Sequence, residues 1–70
     1  MSDFNHKLLL KLREEKGWSR REVMLKLHEI GVSITEGTLE NWETDQTTPD
    51  IEKVVPLAKM LGTTAEALMK

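Results

Sequence analysis

The chain has 70 residues, a formal net charge of −2, no cysteine and two histidines. That describes one small domain whose core must hold without disulfides or thiolate metal sites, and the two lone histidines, His6 and His28, do not make up a zinc site. No apolar run reaches the ~20 residues of a membrane span, and the opening six residues lack the basic-then-apolar pattern of a signal peptide, so a soluble cytoplasmic protein is expected.

Leu8, Leu9 and Leu12, joined by Phe4 one turn earlier, recur at helical spacing up to Lys16 and are followed by Gly17. This predicts a first helix over about residues 4 to 16, with Leu10 off the stripe as a scattered exposed leucine. Ser19-Arg20-Arg21-Glu22 has the form of a capping box and starts a second helix, whose core face is Val23, Leu27 and Ile30 with Met24 beside it, and which Gly31 ends.

Two starts for the third helix compete. Ser33-Ile34-Thr35-Glu36 is itself a capping box. Thr35 is the preferred cap, because it makes Ile34 and Leu39 a hydrophobic staple and keeps Gly37 in the first turn, where a glycine deeper inside would cost about 1 kcal/mol. The stretch Ile34 to Glu43 then reads as a short helix with a polar face at its start and a packing face at its end, braced by the helix before it.

A polar run from Thr44 to Thr48 leads to Pro49-Asp50, and aspartate is a good cap for a fourth helix starting at Ile51. Its apolar set is Ile51, Val54, Val55, Leu57, Ala58 and Leu61, with Pro56 inside predicting a kink or a tightened first turn, and Gly62 closing it. Thr63-Thr64-Ala65-Glu66 caps a last short helix through Ala67, Leu68 and Met69. Five short helices with tight joins and no strand pattern make an all-α bundle, which by itself says nothing about function.

Leu12-Arg13-Glu14-Glu15-Lys16-Gly17-Trp18-Ser19, Gly31-Val32-Ser33, Thr38-Leu39-Glu40-Asn41-Trp42-Glu43, the following Pro49 and Leu57-Ala58-Lys59-Met60-Leu61-Gly62 stand in a familiar order and spacing. From about residue 5 to residue 69 the chain resembles the helix-turn-helix domain of Cro and phage-repressor type regulators, the xenobiotic-response-element family. The resemblance implies a lambda-repressor-like fold whose third helix, about residues 36 to 43, lies in the major groove of double-stranded DNA with its first residues facing base edges.

Carried over position by position, it implies base contacts from Glu36, Gly37, Glu40 and Asn41. Asparagine pairs with adenine, glutamate accepts from the cytosine amino group, and glycine permits close approach. Arg20 and Arg21 at the start of the second helix, Thr35 and Thr38, and the loop residues Gln46, Thr47 and Thr48 are the implied phosphate contacts. Arg13 and Glu43 are implied to form a structural ion pair between the first and third helices. Trp18 and Trp42 read as core anchors rather than stacking platforms.

Three departures from the family pattern stand out. The join between the second and third helices is about five residues longer than the usual tight turn, which predicts a second helix extended by about a turn and an extended, roomier junction. Met24 and His28 replace the small residues the family favours. Asp45 and two threonines follow Glu43 where relatives carry glycine and lysines, removing positive charge from the phosphate side.

The resemblance therefore implies a bacterial or phage-encoded, nucleoid-associated transcriptional regulator, a repressor, acting as a homodimer on a near-palindromic operator without cofactor or metal. Leu8, Leu10, Leu25, Leu68 and Met69 are candidates for a dimer surface, or else extra core. Residues 1 to 70 form either the whole domain or the amino-terminal part of a longer regulator. The alternative is a protein-interaction module or antitoxin-like domain on the same fold with weak or no DNA binding. A positive rim at Arg20, Arg21 and Lys26 favours DNA, whereas a negative face around Glu36 and Glu40 favours a protein partner. No nucleophile has a base placed for it and no glycine loop is shaped for phosphate, so catalysis is not expected.

Overall fold

Each helix of this chain begins where a small polar residue meets an apolar periodic run, and most of those caps are made as written. The computed structural model describes residues 3–69. Five helices follow one another: α1 His6–Glu15, α2 Arg20–Glu29, α3 Glu36–Glu43, α4 Ile51–Leu61 and α5 Ala65–Leu68, with no strand among the described residues.

α1 starts two residues later than the leucine stripe predicts. Asn5 is the cap, its side-chain oxygen accepting from the Leu8 N–H at 3.1 Å, so Phe4 lies outside the helix. Phe4 and Leu9 take the two staple positions, and both are buried. The Asn5 N–H donates to the Leu68 carbonyl at 2.6 Å, tying the start of the chain to its last helix.

α2 carries the full capping box: Ser19 Oγ accepts from the Glu22 N–H at 3.0 Å, and Glu22 Oε1 accepts from the Ser19 N–H at 3.0 Å. Its end is equally defined. Gly31 sits at φ +90°, its N–H donates to the His28 carbonyl at 3.1 Å, and Val32 N–H donates to the Leu27 carbonyl at 2.9 Å. This is the paired closure of a Schellman turn, and its apolar contact positions, Leu27 and Val32, are both buried. Ile30, expected on the core face, is instead 52% exposed, because it caps the helix just before the chain turns back. Val32 takes its place in the core.

Residues 30 to 35 form the non-helical junction, the extended join expected from the sequence. Thr35 then caps α3, accepting from the Thr38 N–H at 3.1 Å, with Ile34 packed against the core and Leu39 fully buried as the staple requires. Ser33 is exposed outside the helix.

α4 supplies one wall of the core through Val54, Leu57, Ala58 and Leu61. Ile51 and Val55, which the apolar run placed inward, are 58% and 42% exposed, since both fall on the flank of α4 away from those four side chains. Asp50 sits at the cap position without a side-chain cap bond; its backbone carbonyl instead accepts from Lys53 at 2.9 Å and Val54 at 3.0 Å. The first of these is the tightened first turn that an internal proline at Pro56 predicts.

α5 closes the bundle by burying Leu68 completely, which removes it from the candidates for a dimer surface. Leu8 and Met69 pack half-buried against the same core, Leu10 is half-buried rather than exposed, and Leu25 remains 47% exposed. α2 packs on both α3 and α4, and α1 on α3 and α5, so the α2–α3 pair is held from both sides.

Candidate nucleic-acid interface

Helical spacing divides α3 into three faces. Leu39 and Trp42 turn inward and are buried, and Glu43 joins them with 3% of its surface exposed. Glu36 and Glu40, four residues apart and in line with Glu43, form one edge. Gly37 and Asn41, again four apart, fall on the next edge outward and are exposed. An added Cβ on Gly37 would meet only Thr35 Oγ1, at 3.8 Å, so neither packing nor backbone geometry demands glycine there.

A buried carboxylate requires partners, and Glu43 has two. The Arg13 guanidinium donates from Nε to Glu43 Oε2 and from Nη2 to Oε1 at 3.1 Å, while its Nη1 donates to the Trp18 carbonyl at 2.9 Å. Arg20 donates from Nε to Glu43 Oε1 at 2.9 Å. One carboxylate thus joins α1, the α1–α2 turn, the start of α2 and the end of α3, setting how α3 is carried by α2. The resemblance implied only the Arg13 partner. Nothing local in the sequence links Arg20 to a residue 23 positions on, although a carboxylate with room for two arginines was a hint.

This arrangement changes the picture of the positive rim. Arg20 stays held above its ordinary pKa, first by its hydrogen bond to Glu43, against partial desolvation, with the charges of Glu43, Glu40 and Glu36 adding. It is shared with α3's acidic edge while its side chain remains 39% exposed. Arg21 is exposed beside it. The capping box consumes the Ser19 and Glu22 N–H groups, leaving those of Arg20 and Arg21 facing outward at the helix start. Lys26 does not belong to this rim. It lies about 120° round α2 from Arg20 at 3.6 residues per turn, and its ammonium sits 4.6 Å from the centroid of the Trp18 ring.

Thr44 Oγ1 donates to the Glu40 carbonyl at 2.9 Å at the end of α3, and backbone bonds turn the loop that follows. Asp45 holds φ +62°, the left-handed position that glycine usually fills, and the N–H groups of Gln46 and Thr47 return to the Asn41 carbonyl at 2.8 and 3.3 Å. The Gln46, Thr47 and Thr48 residues are exposed. Thr35 Oγ1 is engaged with the Thr38 N–H and lies 3.0 Å from Thr38 Oγ1. Among the described residues no group of acidic or histidine side chains is arranged to hold a metal ion, and no helix is long and apolar enough to cross a membrane.

With a braced short helix following a capped one, a helix-turn-helix family model matches residues 9–68 of the chain. The chain belongs to the helix-turn-helix family. The match spans both halves of the α2–α3 unit and the whole supporting bundle, in agreement with the Cro and phage-repressor resemblance. The helix-turn-helix family is one of DNA-binding regulatory domains and not an enzyme family. No curated protein and no solved structure matches the chain. Within this helix-turn-helix domain, Glu36, Gly37, Glu40 and Asn41 stand exposed on α3, as do Gln46, Thr47 and Thr48 in the loop after it, while Arg20, half-buried, and Arg21, exposed, lie at the start of α2.

Proposed function

We propose that this domain is a sequence-specific transcriptional regulator of double-stranded DNA, acting as a repressor in a bacterial or phage-encoded system. α3 enters the major groove, Gly37 letting the backbone approach and Asn41 pairing with adenine, while Glu36 and Glu40 accept from cytosine amino groups. Arg20 and Arg21, the helix N–H groups beside them, Thr35, Thr38 and the loop residues Gln46, Thr47 and Thr48 meet the phosphates on either side. Two copies act as a homodimer on a near-palindromic operator, since one reading helix covers only a few base pairs.

The observation that carries this reading is the exposed Gly37–Asn41 edge of a helix whose opposite face is pinned by Leu39, Trp42 and the Glu43 cluster. With Glu36 and Glu40 on the neighbouring edge, four exposed positions, Gly37 among them, are held out on a rigid element. A second reading, a protein-interaction or antitoxin-like module, is favoured by the acidic Glu36–Glu40 edge, whose charge reaches Arg20.

Selection from a random duplex pool separates the two. The DNA reading expects an enriched inverted repeat whose affinity falls steeply with salt and falls again in Arg20→Ala. If no sequence is enriched at low salt, the second reading stands instead.

A further inference from the structure

On the other side of α2 from the reading helix, the C-terminal half of α2 and the outer face of α4 enclose a groove of 680 Å³. Trp18, Pro56 and Met60 line it half-buried, and Ile30 and Val55 line it largely exposed. Ile30 and Val55 are two of the large apolar side chains that the fold leaves outside its own core.

The charge around this groove is opposite in sign to that of the chain. The protein carries a net charge of −2, yet Lys26 and Lys59 line the groove against a single carboxylate, Glu29. Lys16 adds a third cation, its ammonium 5.2 Å from the centroid of the same Trp18 ring that Lys26 covers at 4.6 Å. None of these three lysines has a carboxylate partner within salt-bridge distance among the described residues. The Lys16 and Lys26 ammoniums rest on an aromatic face, a weak interaction at exposed sites that an incoming carboxylate can replace.

An apolar trough with unpaired cations along it selects an occupant that is apolar on one face and anionic on its flanks. We infer that this groove docks an acidic amphipathic helix of a partner protein, its apolar residues at i, i+4 and i+7 seated on Trp18, Ile30, Val55 and Met60, and its carboxylates paired with Lys16, Lys26 and Lys59. A chain segment fits better than a small molecule because the walls are too exposed to enclose one, as small-molecule sites do. The site is separate from Arg20 and the α3 edge, so it serves as a surface through which a regulator bound elsewhere is held or recruited.

The test uses the full chain and a fluorescein-labelled synthetic peptide of about 18 residues, leucine at i, i+4 and i+7 and glutamate on the flanks, with a lysine-for-glutamate peptide as control. The glutamate peptide should saturate in anisotropy, shift Trp18 emission and lose affinity with added salt. The double substitution Lys26→Glu with Lys59→Glu, on side chains that fill no core position, should weaken it by about tenfold or more, as should the lysine peptide. Arg20→Ala should leave peptide binding unchanged. The inference fails if the glutamate peptide does not saturate by about 1 mM, or binds equally well to the charge-reversed protein. It fails in favour of a small ligand if decanoate shifts Trp18 emission and the peptide does not. It fails in favour of a second copy of this chain if sedimentation shows a dimer that Val55→Glu dissociates.

Discussion

Glu43 is shared unequally between its two arginines, and the inequality gives a quantitative test of how α3 is held. Arg13 grips both carboxylate oxygens and also the Trp18 carbonyl, and its side chain is 12% exposed; Arg20 offers one Nε contact from a side chain 39% exposed. Arg13→Ala leaves a carboxylate buried with one half-exposed partner and strips the Trp18 carbonyl of a donor. The loss expected is about 3 kcal/mol, the lower end of the range for breaking a buried pair, because Arg20 remains. Arg20→Ala keeps the Arg13 fork intact and should cost about 1 kcal/mol or less, as solvent screens that contact. In a domain this small, the first translates to a melting-temperature drop of about 12–24 °C and the second to under about 8 °C. Urea unfolding at low temperature, followed by circular dichroism, reads both. Equal costs for the two arginines, or a loss under about 1 kcal/mol for Arg13→Ala, would refute the unequal sharing. The same contrast makes Arg20→Ala a folded variant in which phosphate contact can be examined apart from stability.

Three further outcomes follow from single positions. Asp45→Gly should stabilise the domain by about 0.5–1 kcal/mol, because an L-residue at φ +62° sits where glycine has no steric penalty; a lower denaturation midpoint would mean that its 3.9 Å approach to His6 matters more than the backbone. Ser19→Ala removes the hydroxyl half of the α2 capping box, the acceptor for the Glu22 N–H, while the residue-19 N–H can still donate to Glu22; it should cost about 1 kcal/mol, measured by thermal unfolding, with no change showing the cap to be replaced by water. Gly37→Ala should raise stability by about 0.5–1 kcal/mol, since its Cβ meets nothing closer than 3.8 Å. The same change should lower duplex affinity by about tenfold, measured by anisotropy, by blocking close approach to the groove; stability and affinity rising together would sink the groove assignment for this edge.

Local chemistry made much of the fold legible. A serine three residues before a glutamate and a threonine after an isoleucine each state where a helix starts, because the hydrogen bonds that decide it lie within one turn. Gly31 likewise ends α2 by the one backbone angle it permits cheaply. The misassigned residues share a different cause. Ile30, Ile51 and Val55 continue apolar runs, but five short helices leave no further layer to cover the α2–α4 flank, and periodicity does not report the absence of a neighbour. Leu68, open between a surface and a core role, is settled as core by the packing of α5 on α4 and α1, which no spacing within α5 reveals. At the interface, the exposed edge of α3 followed from helical geometry, whereas the recruitment of Arg20 by Glu43 and of Lys26 by Trp18 depended on long side chains choosing between partners in space.

The most direct test of the account is to repeat site selection with Asn41→Ala beside the unaltered protein. If α3 reads bases, the variant should recover the same inverted repeat with one position per half-site, an adenine, no longer specified, and the discrimination lost there should be about 1–3 kcal/mol. Recovery of an identical site with full discrimination at every position would contradict the assignment of this edge of α3 to the bases.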